Sequence, residues 1–184
     1  TYKAEVANAG IKAGVDMIND IWGLRKEPEM ARVIAESNVA CCLMHNRKEA
    51  KYTDLLSDMV IDLQESVKLA LEAGISKSKI ILDPGIGFGK AYVDNLQVLG
   101  DLDTFKQLGY PLLLGTSRKS VIGLTLDLPV EERLEGTLVT TVMAVLNGYA
   151  FVRVHDIKEN IRTIRMAEAI REGGISLYGR NQNR

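Results

Sequence analysis

The chain has 184 residues, of which 46% are hydrophobic and 26% charged, a composition typical of a globular protein with one sizeable core. Its 23 basic and 24 acidic residues leave a formal charge of −1, which excludes attraction to nucleic acid or an anionic membrane through the overall field. No apolar stretch has the length of a membrane span and the first residues form no hydrophobic signal core, so we expect a cytoplasmic protein.

Short β-branched runs alternate with longer segments of helical period along the chain. We predict strands over residues 15–21, 39–44, 79–83, 111–115 and 151–155. We predict helices over residues 2–13, 28–36, 56–71, 95–108 and 131–146, one beginning near Ser120 and one following Asp156. The alternation has no composition break, which predicts a single α/β domain over residues 1–184 with parallel strands and a flexible tail over 173–184.

Two helices carry more detailed expectations. The segment 131–146 is nearly all apolar, which predicts a well-buried helix. Asp156 and Glu159 have the spacing of a capping box, so we assign Asp156 to capping rather than to catalysis.

Five strand–helix units are present, preceded by one helix that lacks its own strand. A closed (β/α)₈ barrel needs roughly 200 to 250 residues, so this chain would supply the second part of such a barrel. A complete doubly wound domain of five strands is the alternative. Polar residues at the end of every predicted strand favour the barrel, because a barrel draws its site from all of its strand ends.

Residues 83–90 read Asp-Pro-Gly-Ile-Gly-Phe-Gly-Lys and follow the apolar run 80–82 directly. A carboxylate at the end of a buried strand must be protonated, find local hydrogen-bond donors, or face a cleft that a ligand fills. Three glycines within five residues allow the backbone to approach a ligand closely. A strand-ending turn that satisfies Asp83 locally remains the alternative.

The polar residues at the strand ends fall into two chemical groups. Asn19 and Asp83 suit a planar heterocycle that carries N–H groups, because a carboxylate accepts two parallel donors from an amino-pyrimidinone edge. Lys119, Arg153 and His155 suit a phosphate or diphosphate, helped by the amides of a helix that starts near Ser120. Each has a structural alternative: Asn19 in a loop cap, Ser117 as a helix cap, and His45 as a satisfied core histidine.

Several motifs together resemble dihydropteroate synthase, the sulfonamide-target enzyme of folate synthesis. They are residues 83–90, Gly-Thr-Ser-Arg-Lys-Ser at 115–120, Arg-Val-His-Asp at 153–156, Ile-Asn-Asp-Ile at 18–21 and Leu-Met-His at 43–45. The resemblance implies a (β/α)₈ barrel that joins p-aminobenzoate to 6-hydroxymethyl-7,8-dihydropterin diphosphate and releases diphosphate, with Mg²⁺ present.

The resemblance also implies roles for individual residues. Asp83 would hold the amino-pyrimidinone edge of the pterin, Asn19 would contact the same ring, and Lys119 would reach its oxygen and nitrogen. Met44 and Phe88 would pack against the pterin ring or the adjoining aminobenzoate. Ser120 would bind the aminobenzoate carboxylate, and Arg153 with His155 would bind the diphosphate. The expected catalytic residues are Asp83, Lys119, Arg153 and His155. The expected substrate-binding residues are Asn19, Met44, Asp83, Gly87, Phe88, Ser117, Lys119, Ser120, Arg153 and His155.

The chain departs from the pattern of this family at its beginning. The first three strands of the family's barrel, with a metal-binding asparagine, have no counterpart here, so we expect no metal ligand in this chain and weak turnover or none. Asn46 and Arg47 follow Met44-His45, where many relatives carry another methionine, and we expect Arg47 to be solvated. The alternatives are a methyltetrahydrofolate-type methyltransferase domain and a non-catalytic fragment, and we expect a homodimer or other self-association.

Overall fold

The computed structural model describes residues 1–173, which alternate between helices and short strands. The strands are β1 (Met17–Asp20), β2 (Ala40–Met44), β3 (Ile80–Asp83), β4 (Leu113–Leu114) and β5 (Phe151–Val152). The helices are α1 (Ala4–Lys12), α2 (Pro28–Ser37), α3 (Leu55–Glu72), α4 (Tyr92–Gly100), α5 (Ser120–Leu126), α6 (Leu134–Leu146) and α7 (Ile157–Arg171). The chain divides into two compact units, Thr1–Leu113 and Leu114–Arg184. The single domain remains a prediction, and the predicted tail lies, apart from Gly173, outside the described residues.

The first unit contains a parallel sheet in the order β1-β2-β3. Leu112 extends it through a parallel bridge to Leu82. Cys42, Ile81 and Leu113 form an apolar cluster within this unit. The three strands and their helices confirm the predicted alternation, because apolar runs and helical spacing are local signals that need no distant partner.

The predicted helix over 95–108 is wrong in its extent. α4 begins at Tyr92, where the side chain of Asp94 accepts a hydrogen bond from Ala91 N at 2.7 Å. It ends at Gly100, and a separate 3₁₀ helix covers Leu102–Leu108 after a non-helical Asp101. Glycine is a poor interior helix residue, which is consistent with a break at this point.

The expectation of a well-buried helix over 131–146 is only partly correct. A 3₁₀ turn occupies Val130–Glu132 before α6, and Val139 is 60% exposed within the chain. Three threonines of α6 are buried: Thr137, Thr140 and Thr141. Their hydroxyls have partners, since Thr137 donates to Arg133 O at 2.9 Å and Thr141 donates to Asn160 Oδ1 at 2.7 Å. Satisfied hydroxyls allow polar residues to occupy a buried face.

The capping role assigned to Asp156 is wrong. Asp156 precedes α7, but its side chain makes no capping hydrogen bond. Its carboxylate instead pairs with the Arg118 guanidinium, at 2.5 Å from Nη2 and 3.1 Å from Nε. Two parallel charge-assisted hydrogen bonds are stronger than one bond to a backbone amide, which explains the choice.

In the part of the chain that the structure describes, no helix combines the length and apolarity needed to cross a membrane.

Candidate functional site

Three predicted ligand-binding residues of the first unit lie on one face of the parallel sheet. Asn19 is in register with Cys42, and Met44 is in register with Asp83. Because side chains of a strand point to the same face at every second residue, Asn19, Met44 and Asp83 share that face. Met44 is fully buried and Asp83 is 1% exposed. The strands therefore bring these residues together, as the positions at the strand ends predicted.

The carboxylate of Asp83 shapes the loop that follows it. Its Oδ1 accepts a hydrogen bond from Gly85 N at 2.7 Å. This contact fixes one oxygen and ties the carboxylate to the first turn of the glycine-rich loop, so part of the local-turn interpretation is correct.

Asn19 has a buried oxygen with no protein partner. Among the described residues, no donor reaches Asn19 Oδ1. A buried acceptor left without a hydrogen bond costs about 1 to 3 kcal/mol. This cost favours a ligand donor at the position.

The glycines of the loop are required by close backbone contacts. Gly85 has φ of 68°, and a Cβ there would lie 2.1 Å from His45 O. Gly89 has φ of 57°, and a Cβ there would lie 2.5 Å from Arg47 N. The loop after β3 therefore packs directly on the segment after β2, which only glycine permits.

Gly87 and Phe88 lie at the tip of this loop. Gly87 is exposed and donates its N–H to Asn95 Oδ1 at 2.6 Å, while Phe88 is half-buried. Phe88 N donates to Gly85 O at 3.1 Å and closes a tight turn. Both predicted residues thus belong to one turn that begins two residues after Asp83.

A buried polar network behind the loop was not predicted from the sequence. His45 is fully buried, its Nε2 lies 2.9 Å from Asp62 Oδ2, and its Nδ1 lies 3.0 Å from Lys90 Nζ. Asp62 comes from the buried face of α3 and also accepts from Arg47 Nε at 2.7 Å. The sequence signal that could have indicated this network is Asp62, a carboxylate that stands among the apolar residues of the α3 pattern. His45 is a satisfied core histidine, in agreement with the structural alternative.

The protonation states in this network follow from burial and from charge. Burial lowers the pKa of His45 to about 4, against the opposing hydrogen bond to Asp62. The neutral imidazole of His45 donates a hydrogen bond from Nε2 to Asp62, and its Nδ1 accepts a hydrogen bond from the Lys90 ammonium. Burial by itself would raise the pKa of Asp62, but hydrogen bonds from His45 and Arg47 and the charge of Arg25 bring it well below its usual range.

The stability of the chain should therefore decrease in mild acid. The unfolded chain binds a proton at His45 between pH 6.5 and about 4 that the folded chain does not bind. We expect the free energy of unfolding to fall by about 3 kcal/mol across that window, at ~1.4 kcal/mol per unit. Urea denaturation at a series of pH values measures this slope, and His45→Gln should flatten it. If the free energy of unfolding of wild type and His45→Gln depended on pH in the same way, the lowered pKa of His45 would not be the cause.

Arg47 is not solvated, contrary to expectation. Its guanidinium contacts Asp62 and lies 3.3 Å from Asp58 Oδ2, and its Cζ lies 4.5 Å from the centroid of the Tyr52 ring. The Tyr52 hydroxyl donates to Gly89 O at 2.5 Å, and burial raises the pKa of Tyr52 to about 12. Two acidic neighbours and an aromatic face explain why the side chain turns inward.

The second unit contains a cavity of about 250 Å³ that holds most of the predicted anion-binding residues. It is lined by Gly115, Ser117, Lys119, Arg153, Val154 and His155. The guanidinium of Arg153 lies beside Gly115, with Nη2 3.5 Å from the position that a Cβ would take. Three groups that are cationic or can become so thus line one hollow, which suits an anion.

Ser117 and His155 are paired within this cavity. Ser117 Oγ lies 2.9 Å from His155 Nδ1 and accepts from His155 N at 3.2 Å. The contact leaves Nε2 of the exposed imidazole pointing away from Ser117, because the two nitrogens lie on opposite sides of the ring. Ser120 is exposed at the first position of α5 and does not line this cavity.

Comparisons with known proteins agree with this chemistry. The family described as "Pterin binding enzyme" matches residues 1–155. A Bacillus subtilis dihydropteroate synthase is 55% identical over 176 residues, 95% of this chain and 62% of that relative. A Clostridium beijerinckii dihydropteroate synthase is 54% identical over 171 residues, 92% of this chain and 64% of that relative. The chain thus spans less than two thirds of the length of these relatives.

A solved structure has the same fold. The crystal structure of a Clostridium difficile dihydropteroate synthase in the presence of pteroic acid matches with a TM-score of 0.90 at 48% identity. The match covers 92% of this chain and 65% of that chain. It confirms the predicted fold class, an α/β fold of the TIM-type (β/α)₈ barrel family of which this chain contains about five βα units.

Proposed function

Because this chain belongs to the pterin-binding enzyme family, we propose that it acts as a dihydropteroate synthase, a transferase of folate biosynthesis. Its substrates are p-aminobenzoate and 6-hydroxymethyl-7,8-dihydropterin diphosphate, and its products are 7,8-dihydropteroate and diphosphate. The observation that carries the proposal is the common sheet face of Asn19, Met44 and Asp83. This face presents a buried carboxylate and a buried amide oxygen that lacks a donor among residues 1–173.

The first unit recognises the pterin ring. The Asp83 carboxylate accepts hydrogen bonds from the amino-pyrimidinone edge, and Asn19 Oδ1 accepts a further ring N–H. Met44 and Phe88 supply apolar surface for the flat ring. Charge-assisted hydrogen bonds to a buried carboxylate are among the stronger polar interactions in proteins, which suits recognition of a small heterocycle.

The second unit takes up the diphosphate. Arg153 offers a planar fork of donors that matches phosphate oxygens. Lys119 carries a point charge that suits the diphosphate, whereas the family resemblance assigns it to the oxygen and nitrogen of the pterin ring. His155 supplies an N–H at Nε2 while Ser117 holds its Nδ1. We assign the aminobenzoate carboxylate to Ser120, on the resemblance alone.

The reaction needs positioning more than acid–base chemistry. Breaking the bond between the pterin methylene and the diphosphate oxygen leaves a cation that is delocalised into the dihydropterin ring. A fixed carboxylate at Asp83 stabilises this charge, and Arg153 with His155 stabilises the leaving group. The neutral aromatic amine then forms the new C–N bond and releases its proton, so no strong base is required.

The family resemblance implies Mg²⁺ together with the diphosphate. Within residues 1–173, no group of three or more His, Cys, Asp or Glu side chains is placed to bind a metal ion. Mg²⁺ accompanying the diphosphate stays a prediction. The cytoplasmic location, the weak turnover and the self-association also stay predictions.

Calorimetric titration of the chain with 6-hydroxymethyl-7,8-dihydropterin diphosphate tests the proposal directly. We expect saturable binding with one site per chain, and binding of inorganic diphosphate that competes with it. Titration with tetrahydrofolate methyl donors should give no comparable heat, since these lack a diphosphate. Absence of pterin binding to the folded chain would overturn the proposal.

The role of Arg153 has its own prediction. Arg153→Met removes the guanidinium but keeps much of its length, and we expect inorganic diphosphate to bind about tenfold more weakly, since a charged hydrogen-bonded contact contributes about 1.5 kcal/mol or more. Arg162→Met on exposed α7 is the matched control and should leave the affinity unchanged. Equal affinities of the two variants for diphosphate would show that Arg153 is not an anion ligand.

A further inference from the structure

The ammonium group of Lys90 holds the glycine-rich loop from within. Its Nζ donates to Gly85 O and to Phe88 O, each at 2.9 Å, and lies 3.0 Å from His45 Nδ1. Lys90 is the last residue of the loop that begins at Asp83, so its side chain folds back across the loop's own backbone. An ammonium group has three N–H donors, which is enough to serve all three of these partners.

The loop needs such a tether because its own sequence does not define its shape. Gly85, Gly87 and Gly89 all have positive φ, of 68°, 82° and 57°. Glycine loses more conformational freedom on folding than any other residue, so a loop with three of them is held in one shape only by added contacts. Asn95 and Tyr52 also hold the loop, through the N–H of Gly87 and the carbonyl of Gly89. Lys90 holds the remaining turn, residues 85–88.

That turn is the part of the loop that connects to Asp83. Gly85 O accepts from Lys90, and Gly85 N donates to Asp83 Oδ1 at 2.7 Å. Phe88 N donates to Gly85 O as well, so Lys90 holds the carbonyl that closes the turn and the carbonyl of Phe88 itself. A shift of the ammonium therefore moves both the partner of the carboxylate and the aromatic ring.

The position of the ammonium is in turn set by the network behind it. Asp62 accepts from His45 Nε2, which leaves Nδ1 as the acceptor that faces Lys90. Arg25 Nη1 lies 3.3 Å from Asp62 Oδ1 and Arg47 Nε lies 2.7 Å from Oδ2, so the carboxylate is held from several sides. A chain of side chains from α3 through His45 thus ends on the loop backbone.

We propose that Lys90 is a positioning residue for pterin recognition. By donating hydrogen bonds to Gly85 O, Phe88 O and His45, it holds Asp83 and Phe88 in the arrangement that the pterin ring requires. The inference rests on the proposed function and deepens it. It assigns no contact between Lys90 and substrate. The affinity for the pterin should depend on Lys90, whereas the affinity for inorganic diphosphate, assigned to the second unit, should not.

The test compares Lys90→Met with Lys68→Met in calorimetric titrations of the chain. The methionine at 90 keeps the apolar stem and removes the ammonium, and Lys68 has a side chain that is 72% exposed on α3. For Lys90→Met we expect the dissociation constant of 6-hydroxymethyl-7,8-dihydropterin diphosphate to rise at least tenfold and that of inorganic diphosphate to stay within twofold. Lys68→Met should match the wild type for both ligands.

A second variant and a second measurement separate positioning from folding. Lys90→Arg keeps the charge, but a planar guanidinium cannot direct three N–H groups from one nitrogen, so we expect an intermediate pterin affinity. Amide exchange at Gly87 and Phe88 should quicken in Lys90→Met while exchange in β2 and β3 stays slow.

Each outcome decides the inference. Wild-type pterin affinity in Lys90→Met would overturn it, and so would an equal loss of pterin and diphosphate binding, which would mean general destabilisation. If the wild-type chain bound diphosphate but no pterin, the proposed function would fall and the inference with it. If the wild type bound the pterin normally and only the expected selectivity were missing, the inference alone would fall.

Discussion

Asp83→Asn is expected to weaken binding of 6-hydroxymethyl-7,8-dihydropterin diphosphate by about a hundredfold, or about 3 kcal/mol. In the proposed complex the carboxylate would accept two parallel donors from the pterin edge, whereas an asparagine offers one acceptor and turns an N–H₂ group toward a donor. The asparagine oxygen can still accept from Gly85 N, so the loop should keep its turn. Calorimetric titration of both proteins measures the change.

Asp103→Asn is the matched control for this variant. Asp103 lies in the 3₁₀ helix Leu102–Leu108 and its side chain is 71% exposed, so the same chemical change there should leave the affinity unaltered. Thermal unfolding of each protein establishes that it is folded at the titration temperature. If Asp83→Asn bound the pterin as tightly as the control does, the assignment of the ring to this strand end would be wrong.

Asp62→Ala is expected to lower the free energy of unfolding by about 3 kcal/mol, because it leaves two arginines and a histidine donor without their common acceptor. The side chains of Arg25 and Arg47 are 18% and 25% exposed, so neither guanidinium is fully hydrated once the carboxylate is gone. Urea denaturation at pH 7 gives the difference. Because the pKa of Asp62 is lowered in the folded chain, the stabilisation is complete above the unfolded carboxyl pKa of about 3.9 and should disappear as pH falls below it.

Glu65→Ala provides the comparison on the same helix. Glu65 also faces Arg25, at 3.9 Å, but its side chain is 61% exposed. An exposed ion pair contributes about 0 to 1 kcal/mol, so this variant should be nearly as stable as the wild type. A loss in Asp62→Ala no larger than the loss in Glu65→Ala would indicate that the network is not a source of stability.

The helices and strands of the first unit are those that local patterns predict best. The apolar residues of α3 recur at helical spacing, and Asp54 caps its beginning by accepting from Ser57 N at 2.9 Å. Such signals lie within one element, so they need no information about its neighbours. The exposed Val139 was missed because its exposure depends on which surfaces the rest of the chain covers. The break at Asp101 follows Gly100, a local signal that the helical spacing outweighed in the prediction.

The candidate site divides in a similar way. Asn19 and Asp83 were predicted because each stands where an apolar run ends, and parallel strands place such ends at the same edge of a sheet. Met44 was expected from the family resemblance, and the sheet register places it on the same face. The capping role of Asp156 failed because Arg118, 38 residues away, offers its carboxylate a stronger partner. No local sequence pattern predicts an ion pair between residues that are 38 positions apart.

Residue type and order along the chain are thus sufficient to place a carboxylate and an amide at the strand ends of one sheet, because the period of a strand and the direction of parallel pairing are general properties of the backbone. The hydrogen bonds of Lys90 to the loop backbone and to His45 could be found only from the tertiary structure. Lys90 and His45 are 45 residues apart, and His45 and Asp62 are 17 apart. Only the register of β2 with β3 and the packing of α3 against them set those distances, since a hydrogen bond forms only when tertiary structure brings donor and acceptor within about 3 Å.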